Sequence, residues 1–122
     1  MATKPLRVSY GEYTYENVPG WAPLPSGWEW NHVVGVCVDS QDRIFAYNRS
    51  EHPMIVLDKN GTILGTWGED SFSSAHHVQV GPADSIWTTD IGDHTVRKWS
   101  AEGEQLMMLG PPNEPAPEQS GE

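Results

Sequence analysis

The sequence predicts an all-β protein, and three observations support that prediction. The hydrophobic share is only 37%, while glycine, proline and tryptophan number 12, 10 and 6. Such a composition favours short strands and turns over long helices. Residues 75–90 (AHHVQVGPADSIWTTD) alternate apolar residues around a Gly-Pro-Ala-Asp turn, which predicts two antiparallel strands joined by a tight turn. The third observation is that this phrase occurs earlier in the chain as well.

A repeat with an offset of 42 residues runs without a gap, aligning Val36 with Val78 and Gly68 with Gly110. Eight positions are identical in the two copies: Val36/Val78, Val38/Val80, Asp42/Asp84, Ile44/Ile86, His52/His94, Gly61/Gly103, Leu64/Leu106 and Gly68/Gly110. Each copy contains four predicted strands, near residues 33–38, 43–48, 54–57 and 63–67, then 77–80, 85–90, 96–99 and 105–109. A rival interpretation makes residues 102–109 a short helix, but Gly103 and the phase of the repeat favour a strand. Four strands in every 42 residues are typical of a β-propeller blade.

The predicted order along the chain is an N-terminal arm over 1–30, a first blade over 31–68, a second blade over 69–110 and a disordered tail over 111–122. Within the arm, residues 1–8 are expected to be loose and a strand is expected at about 10–18. A Pro/Trp-rich loop follows over residues 19–30, and its indoles should cap an apolar surface.

Two blades cannot close a ring, because propellers have about four to eight blades. We therefore expect three copies to form a six-bladed β-propeller as a homotrimer. Other ring sizes, a fragment of a longer propeller, and no closed ring remain as alternatives. The predicted strand at 10–18 supports assembly, because it could be the outer strand of its own blade or of a neighbour's.

The composition also bears on partners and location. A net charge of −10 with only seven lysines and arginines argues against nucleic acid and against an anionic membrane surface. No apolar run is long enough to span a membrane or to act as a signal region, so we expect a cytoplasmic protein. The single cysteine, Cys37, lies between two valines and is predicted to be structural in a reducing compartment.

Several phrases resemble the NHL-repeat family of β-propellers. They are the patterns H-x-V-x-V from His76, I-W-x-T-D from Ile86 and V-x-K-W from Val96, followed by E-G and L-G. Within that family the chain is most similar to the first third of peptidyl-α-hydroxyglycine α-amidating lyases and their bacterial relatives. This likeness rests on the phrase Asn48-Arg49-x-x-His52 followed by His76-x-Val78.

The resemblance implies roles for particular residues. It implies that His76 matches the first of three zinc-ligand histidines and that Arg49 matches an active-site arginine. Backbone carbonyls at Val36 and Val78 match positions that help to hold calcium in the channel of the family. The blades that carry the catalytic tyrosine and the other ligand histidines of the family have no counterpart here, which leaves enzymatic activity open.

The residues themselves leave alternatives open at each candidate position. His76 is either one of three zinc ligands, one from each copy around a threefold axis, or a polar residue at the channel mouth. It would not readily chelate a metal together with His77, since neighbours on a strand face opposite sides. Arg49 either binds an anionic substrate group or forms an ion pair with Glu51 or Asp93.

Other polar and aromatic residues are expected to be structural. His52 and His94 are repeat-equivalent loop residues, and Asp90, Asp93 and His94 fit turn hydrogen bonds better than a metal cluster. The tryptophans and tyrosines fit packing between blades better than a ligand platform.

Three functions compete. The first is a binding scaffold whose channel mouth holds a small molecule or peptide. The second is a zinc-dependent lyase-like enzyme assembled across subunits. The third is a structural propeller fragment that completes a ring with a partner chain.

Overall fold

The computed structural model describes residues 4–117, and within them the chain is all-β. The strands are β1 (Arg7–Tyr10), β2 (Tyr13–Glu16), β3 (Gly35–Val38), β4 (Ile44–Tyr47), β5 (Met54–Leu57), β6 (Ile63–Trp67), β7 (Ala75–Val80), β8 (Ile86–Asp90), β9 (Thr95–Trp99) and β10 (Gln105–Leu109). A short 3₁₀ turn, Pro82–Asp84, joins β7 to β8. Across the described residues, the structure contains no helix long and apolar enough to cross a membrane.

Strands β3–β6 and β7–β10 form two separate four-stranded antiparallel sheets, in which each strand pairs with its neighbour in sequence. We call them sheet 1 and sheet 2. The eight strands predicted for the two repeat copies are confirmed, with ends that differ by at most two residues. The rival helix over 102–109 is wrong, because Gln105–Leu109 pairs with β9 as a strand.

The repeat has a conformational basis as well as a sequence basis. Three of the identical pairs have positive φ in both copies: Asp42 (60°) and Asp84 (56°), Gly61 (82°) and Gly103 (93°), Gly68 (86°) and Gly110 (87°). Positive φ is easy for glycine and tolerable for aspartate, but costly for most residues. The two copies therefore share the residues on which the same turns depend.

The two sheets pack face to face through a core of large apolar side chains. One face of each sheet contributes to this core. The residues from sheet 1 are Phe45, Tyr47, Met54, Val56 and Trp67, and those from sheet 2 are Ala75, Val78, Ile86 and Trp99. The Trp67 and Trp99 rings lie 5.1 Å apart across the junction, and Trp67 Nε1 donates to the Ala101 carbonyl at 3.1 Å. The prediction that aromatic residues pack between repeat units is thus confirmed for these two tryptophans.

The other face of sheet 1 is covered in part by the Pro/Trp-rich loop. Ala22, Leu24 and Trp28 pack against a second cluster formed by Ala46, Ile55 and Leu57. The loop also leaves room only for glycine at position 61, because a Cβ there would come within 1.9 Å of the Trp21 carbonyl oxygen. The loop therefore caps an apolar surface as expected, although Trp21 and Trp30 stay about one-third exposed.

The N-terminal arm differs from its prediction. The single strand expected at about 10–18 is instead a hairpin, in which Tyr10 pairs with Tyr13 across a turn at Gly11 (φ +60°). Residues 7 and 8, expected to be loose, belong to its first strand, because the positive φ at Gly11 lets the chain fold back. The hairpin pairs with neither four-stranded sheet, so it is not the outer strand of its own sheet. Residues 1–3 lie outside the described part.

The C-terminal tail is described as far as residue 117. Residues 111–117 are exposed and belong to no helix or strand, and a turn there places Asn113 N–H on the Asp93 carbonyl oxygen at 2.6 Å. The rest of the predicted disordered tail, residues 118–122, lies outside the described residues.

Candidate ligand-binding cleft

A cleft of about 470 Å³ opens at the end of the molecule where β4 ends and β7 begins. Two connections form it, one between β4 and β5 and one between the sheets. Its lining is Asn48, Arg49, Ser50, Glu51, His52, Pro53, Glu69, Asp70, Phe72, Ser73 and Ala75. Most of these side chains are polar or charged, and Phe72 provides an apolar patch that packs edge-on against Tyr47.

Arg49 lies at the edge of the cleft, held by its stem. Its Nε donates to the Ala75 carbonyl at 2.9 Å, and its backbone N–H donates to the Asn31 carbonyl at 2.6 Å. Within residues 4–117, its two terminal nitrogens have neither a hydrogen-bond partner nor an ion-pair partner. The alternative of an ion pair with Glu51 or Asp93 is therefore not observed, and Asp93 instead pairs with Arg97 at 2.6 Å.

His76 follows Ala75 directly, so the structure brings His76 and Arg49 to the same end of the molecule. A β-bulge lies at this point, because Ala75 pairs with Asp90 and His77 pairs with Thr89, which leaves His76 without a partner. Ala75 and Val78 are both buried, and both histidines are exposed. The bulge adds a residue and interrupts the regular alternation on which the opposite-face prediction for His76 and His77 depends, and that prediction stays a prediction.

His52 forms one wall of the cleft and connects it to the Pro/Trp-rich loop. Its imidazole stacks on the Trp28 ring with centroids 3.6 Å apart. Its Nδ1 is buried and lies 3.8 Å from Glu69 Oε1, too far for a hydrogen bond. His94, its repeat equivalent, is an exposed turn residue with a φ of 64°. The two histidines therefore share a loop position but have different surroundings.

Asp90 organises the loops behind the cleft. Its carboxylate accepts backbone N–H groups from Ser73 (2.7 Å), Ser74 (2.9 Å), Gly92 (2.8 Å) and Asp93 (3.1 Å). Burial raises the pKa of Asp90, but the four N–H donors stabilise the charged form, so its pKa lies below the usual range. This carboxylate joins the connection between the sheets to the turn after β8.

No metal site is assembled by the described part of one chain, where no group of three or more His, Cys, Asp or Glu side chains is placed to hold an ion. Asp90 and Asp93 use their oxygens for the turn contacts and the Arg97 pair, as the hydrogen-bonding alternative predicts. At this end of the molecule, the described residues of one chain place His76, in the bulge, and its neighbour His77. A three-histidine zinc site would therefore need ligands from outside these residues.

The carbonyls of Val36 and Val78 lie on edge strands. Hydrogen-bonded and non-hydrogen-bonded pairs alternate along an antiparallel ladder, and Asp39 N–H donates to Arg43 O at 3.1 Å at the end of β3. By that alternation Val36, which lies opposite Ala46, is in a non-hydrogen-bonded pair. In sheet 2 the Gly81 N–H donates to the Ser85 carbonyl, and the same alternation places Val78 in a non-hydrogen-bonded pair as well. Both carbonyls are thus free of hydrogen bonds within their own sheet. Ca²⁺ takes six to eight oxygen ligands, so these two carbonyls would not be enough to hold it.

Several cleft residues carried no signal in the sequence. Glu69, Asp70 and Phe72 lie in the connection between the sheets, outside any repeated phrase. Their positions depend on how one sheet packs on the other and on the hydrogen bond that Asp90 accepts from the Ser73 N–H. Both are long-range contacts. Only Arg49 and its neighbours could be found from the sequence pattern.

No protein-family model matches this chain, and no curated protein is significantly similar to it.

Proposed function

We propose that this chain is a β-propeller-type scaffold that uses the cleft beside Arg49 to bind a small molecule or peptide carrying both a carboxylate and an amine. The observation that carries the proposal is that Arg49 is fixed through its Nε while its two terminal nitrogens have no partner within residues 4–117. Its Nε is fixed on the Ala75 carbonyl, so its terminal nitrogens are held at the cleft edge at little further cost in side-chain entropy. Guanidinium groups of this kind fit carboxylates.

The acidic side chains of the cleft favour a ligand that also carries a positive charge. Glu51, Glu69 and Asp70 line it, against the single cation of Arg49. A purely anionic ligand would meet net repulsion, whereas one with an amine at its other end would match both signs. A short peptide with free ends has this charge pattern.

Trialanine with free ends, its N-acetylated form and its C-terminal amide are suitable probes. Binding can be followed by tryptophan fluorescence, since Trp28 stacks on the cleft residue His52. We expect the free peptide to bind best. Arg49→Gln should weaken it by roughly 10- to 100-fold, the worth of a hydrogen bond to a charged group at about 1.5–3 kcal/mol.

Arg7→Gln is the matched control, because it removes the same charge from the exposed hairpin, where Arg7 pairs with Glu16. Equal loss of affinity in the Arg49 and Arg7 variants would contradict the proposal. So would equal binding of the free peptide and its amide.

The finer architecture belongs to the same proposal. The two antiparallel sheets would be NHL-type blades, and three copies would complete a six-bladed ring as a homotrimer. The support is the in-phase repeat and the need of repeat units to cover their stacking faces. Light scattering tests it, since three chains of 13.6 kDa give a particle of about 41 kDa.

A lyase-like enzyme assembled across subunits is the alternative that His76 favours, because it lies one residue from the carbonyl that holds Arg49. In such a ring three His76 side chains would hold zinc, and Val36 and Val78 from three copies would offer six carbonyls to calcium. Zinc would supply a Lewis acid. Elemental analysis decides this alternative: it requires one zinc for every three chains, lost in His76→Ala.

A further inference from the structure

The junction between the two sheets of one chain is a template for a contact between chains. Within the chain, one face of sheet 1, which we call its front face, packs on one face of sheet 2, its back face. By the 42-residue repeat, sheet 1 also has a back face and sheet 2 also has a front face. These two faces have no four-stranded sheet against them in the described residues.

The back face of sheet 1 is apolar and only partly covered. Val36 and Val38 are 57% and 50% exposed, and the preceding Val33 is 47% exposed. Val33 and Val36 border an apolar groove of about 520 Å³ that also includes Ile44 and Trp30. The corresponding positions on the back face of sheet 2 are Ala75, Val78 and Val80, of which the first two are fully buried by sheet 1.

The front face of sheet 2 is open as well. Trp87 and Val96 stand at the positions that Phe45 and Met54 occupy in sheet 1. Leu109, which is 53% exposed, stands at the position of the buried Trp67. This face therefore carries apolar side chains at these three positions, although Lys98 and Thr89 stand where sheet 1 has Val56 and Tyr47.

We propose that a second copy of this chain docks head to tail, in the arrangement of the internal junction, placing the front face of its sheet 2 on the part of the back face of sheet 1 that the Pro/Trp-rich loop leaves open. This inference rests on the proposed ring, and it names the surfaces that would form it. A second copy is the occupant because the internal junction already shows these two kinds of face packed together. Since the contact is heterologous, successive copies close into a ring or continue as a fibre.

The template predicts which residues meet. Within the chain, a Cβ on Gly35 would lie 3.1 Å from both the backbone nitrogen and Cγ1 of Val78. The repeat equivalents of these two positions are His77 and Val36, so His77 of one copy should face Val36 of the next. Because His77 stands where the internal junction has a glycine with no room for a Cβ, the two strands should lie farther apart there than β3 and β7 do. Both side chains are exposed in the single chain.

A second contact changes its chemistry in a consistent way. Inside the chain, Arg49 Nε donates to the Ala75 carbonyl. The equivalents are Ile91 and Val33, which are 53% and 47% exposed. Because the acceptor at Ala75 is a backbone carbonyl, the carbonyl of Val33 would receive no side-chain hydrogen bond from Ile91, and this part of the predicted contact would depend on the apolar side chains.

Cysteine pairs test this geometry in the full chain carrying Cys37→Ala. Val36→Cys with His77→Cys should form disulfides between chains under mild oxidation, and a denaturing gel should show covalent oligomers beyond the dimer. Gly35→Cys with Val78→Cys is the internal control. A Cβ at position 35 would lie 3.1 Å from Val78 Cγ1, so the two cysteines should be able to reach the Cβ separation of about 3.5–4.5 Å that a disulfide within one chain needs. Val36→Cys alone and His77→Cys alone should give no covalent species larger than a dimer, because one cysteine per chain can join only two chains.

A second variant tests the surface without cross-linking. Val36→Asp should weaken self-association by at least about 10-fold, since it replaces the burial of one valine with that of a charge. Leu64→Asp is the matched control. Leu64 is similarly exposed at 54% but lies on β6, the strand of sheet 1 farthest from β3.

The outcomes separate the two proposals. An assembly by light scattering that the Val36 and His77 cysteines do not cross-link would overturn this docking mode and leave the ring intact. A monomer at all concentrations would overturn both the docking mode and the ring, while Arg49-dependent peptide binding would still stand or fall by its own assay.

Discussion

Replacing Asp90 with asparagine tests whether a buried carboxylate holds the cleft loops together. Asp90 is 4% exposed. One of its oxygens accepts the N–H groups of Ser74, Gly92 and Asp93, and the other accepts the N–H of Ser73. Asparagine keeps one acceptor oxygen but places an NH₂ group where the second oxygen was. At least the Ser73 N–H would then lose its partner.

The expected cost follows from that loss. Leaving one buried donor unsatisfied costs about 1–3 kcal/mol of the free energy of unfolding, so Asp90→Asn should destabilise the chain by about 2 kcal/mol at pH 7. The pKa of Asp90 is lowered in the folded state. Its stabilising contribution is therefore present above its unfolded pKa of about 3.9 and is lost as pH falls through the folded pKa. The difference between wild type and variant should shrink below about pH 4.

Urea unfolding followed by tryptophan fluorescence, at one fixed chain concentration and over a series from neutral pH to below pH 3, measures this difference. Asp42→Asn is the matched control. Asp42 is exposed and has a φ of 60°, a conformation that asparagine also tolerates. Its effect should be small and should not depend on pH in the same way. A cost for Asp90→Asn that stays constant down to pH 3 would refute the charge-based explanation.

Three further outcomes are expected. Trp67→Ala should cost about 3–5 kcal/mol in the same urea assay, because it removes the contact with Trp99 and leaves the Ala101 carbonyl without its indole donor; a cost below about 1 kcal/mol would contradict this account of the junction. Gly61→Ala should destabilise far more than Gly65→Ala, since a Cβ at 61 meets a backbone oxygen at 1.9 Å while nothing lies within 4 Å of one at 65; equal effects would argue against that loop contact. Burial, with a smaller effect of Asp39, raises the pKa of Cys37 to about 11, so iodoacetamide should modify it slowly at pH 8 and rapidly after unfolding in urea; rapid modification of the folded chain would show the thiol to be accessible.

The local fold could be predicted from the sequence because its determinants are local. Turn residues such as Gly61 and Gly103 need positive φ, and the apolar alternation between turns specifies strands. The same reasoning failed at Gly11, where a strand was expected to continue and the chain instead turned back. A Tyr-Gly-Glu-Tyr sequence flanked by β-forming residues is compatible with both structures.

The candidate site could be predicted only in part. Arg49 and His76 were found through a likeness of sequence phrases, and they do lie at the same end of the molecule. The bulge at His76 could not be read from an alternating pattern, because it depends on how β7 meets β8. The acidic wall of the cleft, with Glu69 and Asp70, depends on the packing of one sheet against the other, and no short-range pattern encodes it.

The differences between the repeat copies also bear on how strongly two chains should hold each other. The internal junction carries side-chain hydrogen bonds, among them Ser40 with Asp84 and Arg49 with Ala75. On the open faces the first pair becomes Pro82 and Asp42, which offer no donor, and the second becomes Ile91 with Val33. A contact between copies would therefore depend on apolar burial, with fewer directional bonds than the internal junction has. Such a contact should separate on dilution, or at a lower urea concentration, before the two sheets of one chain come apart.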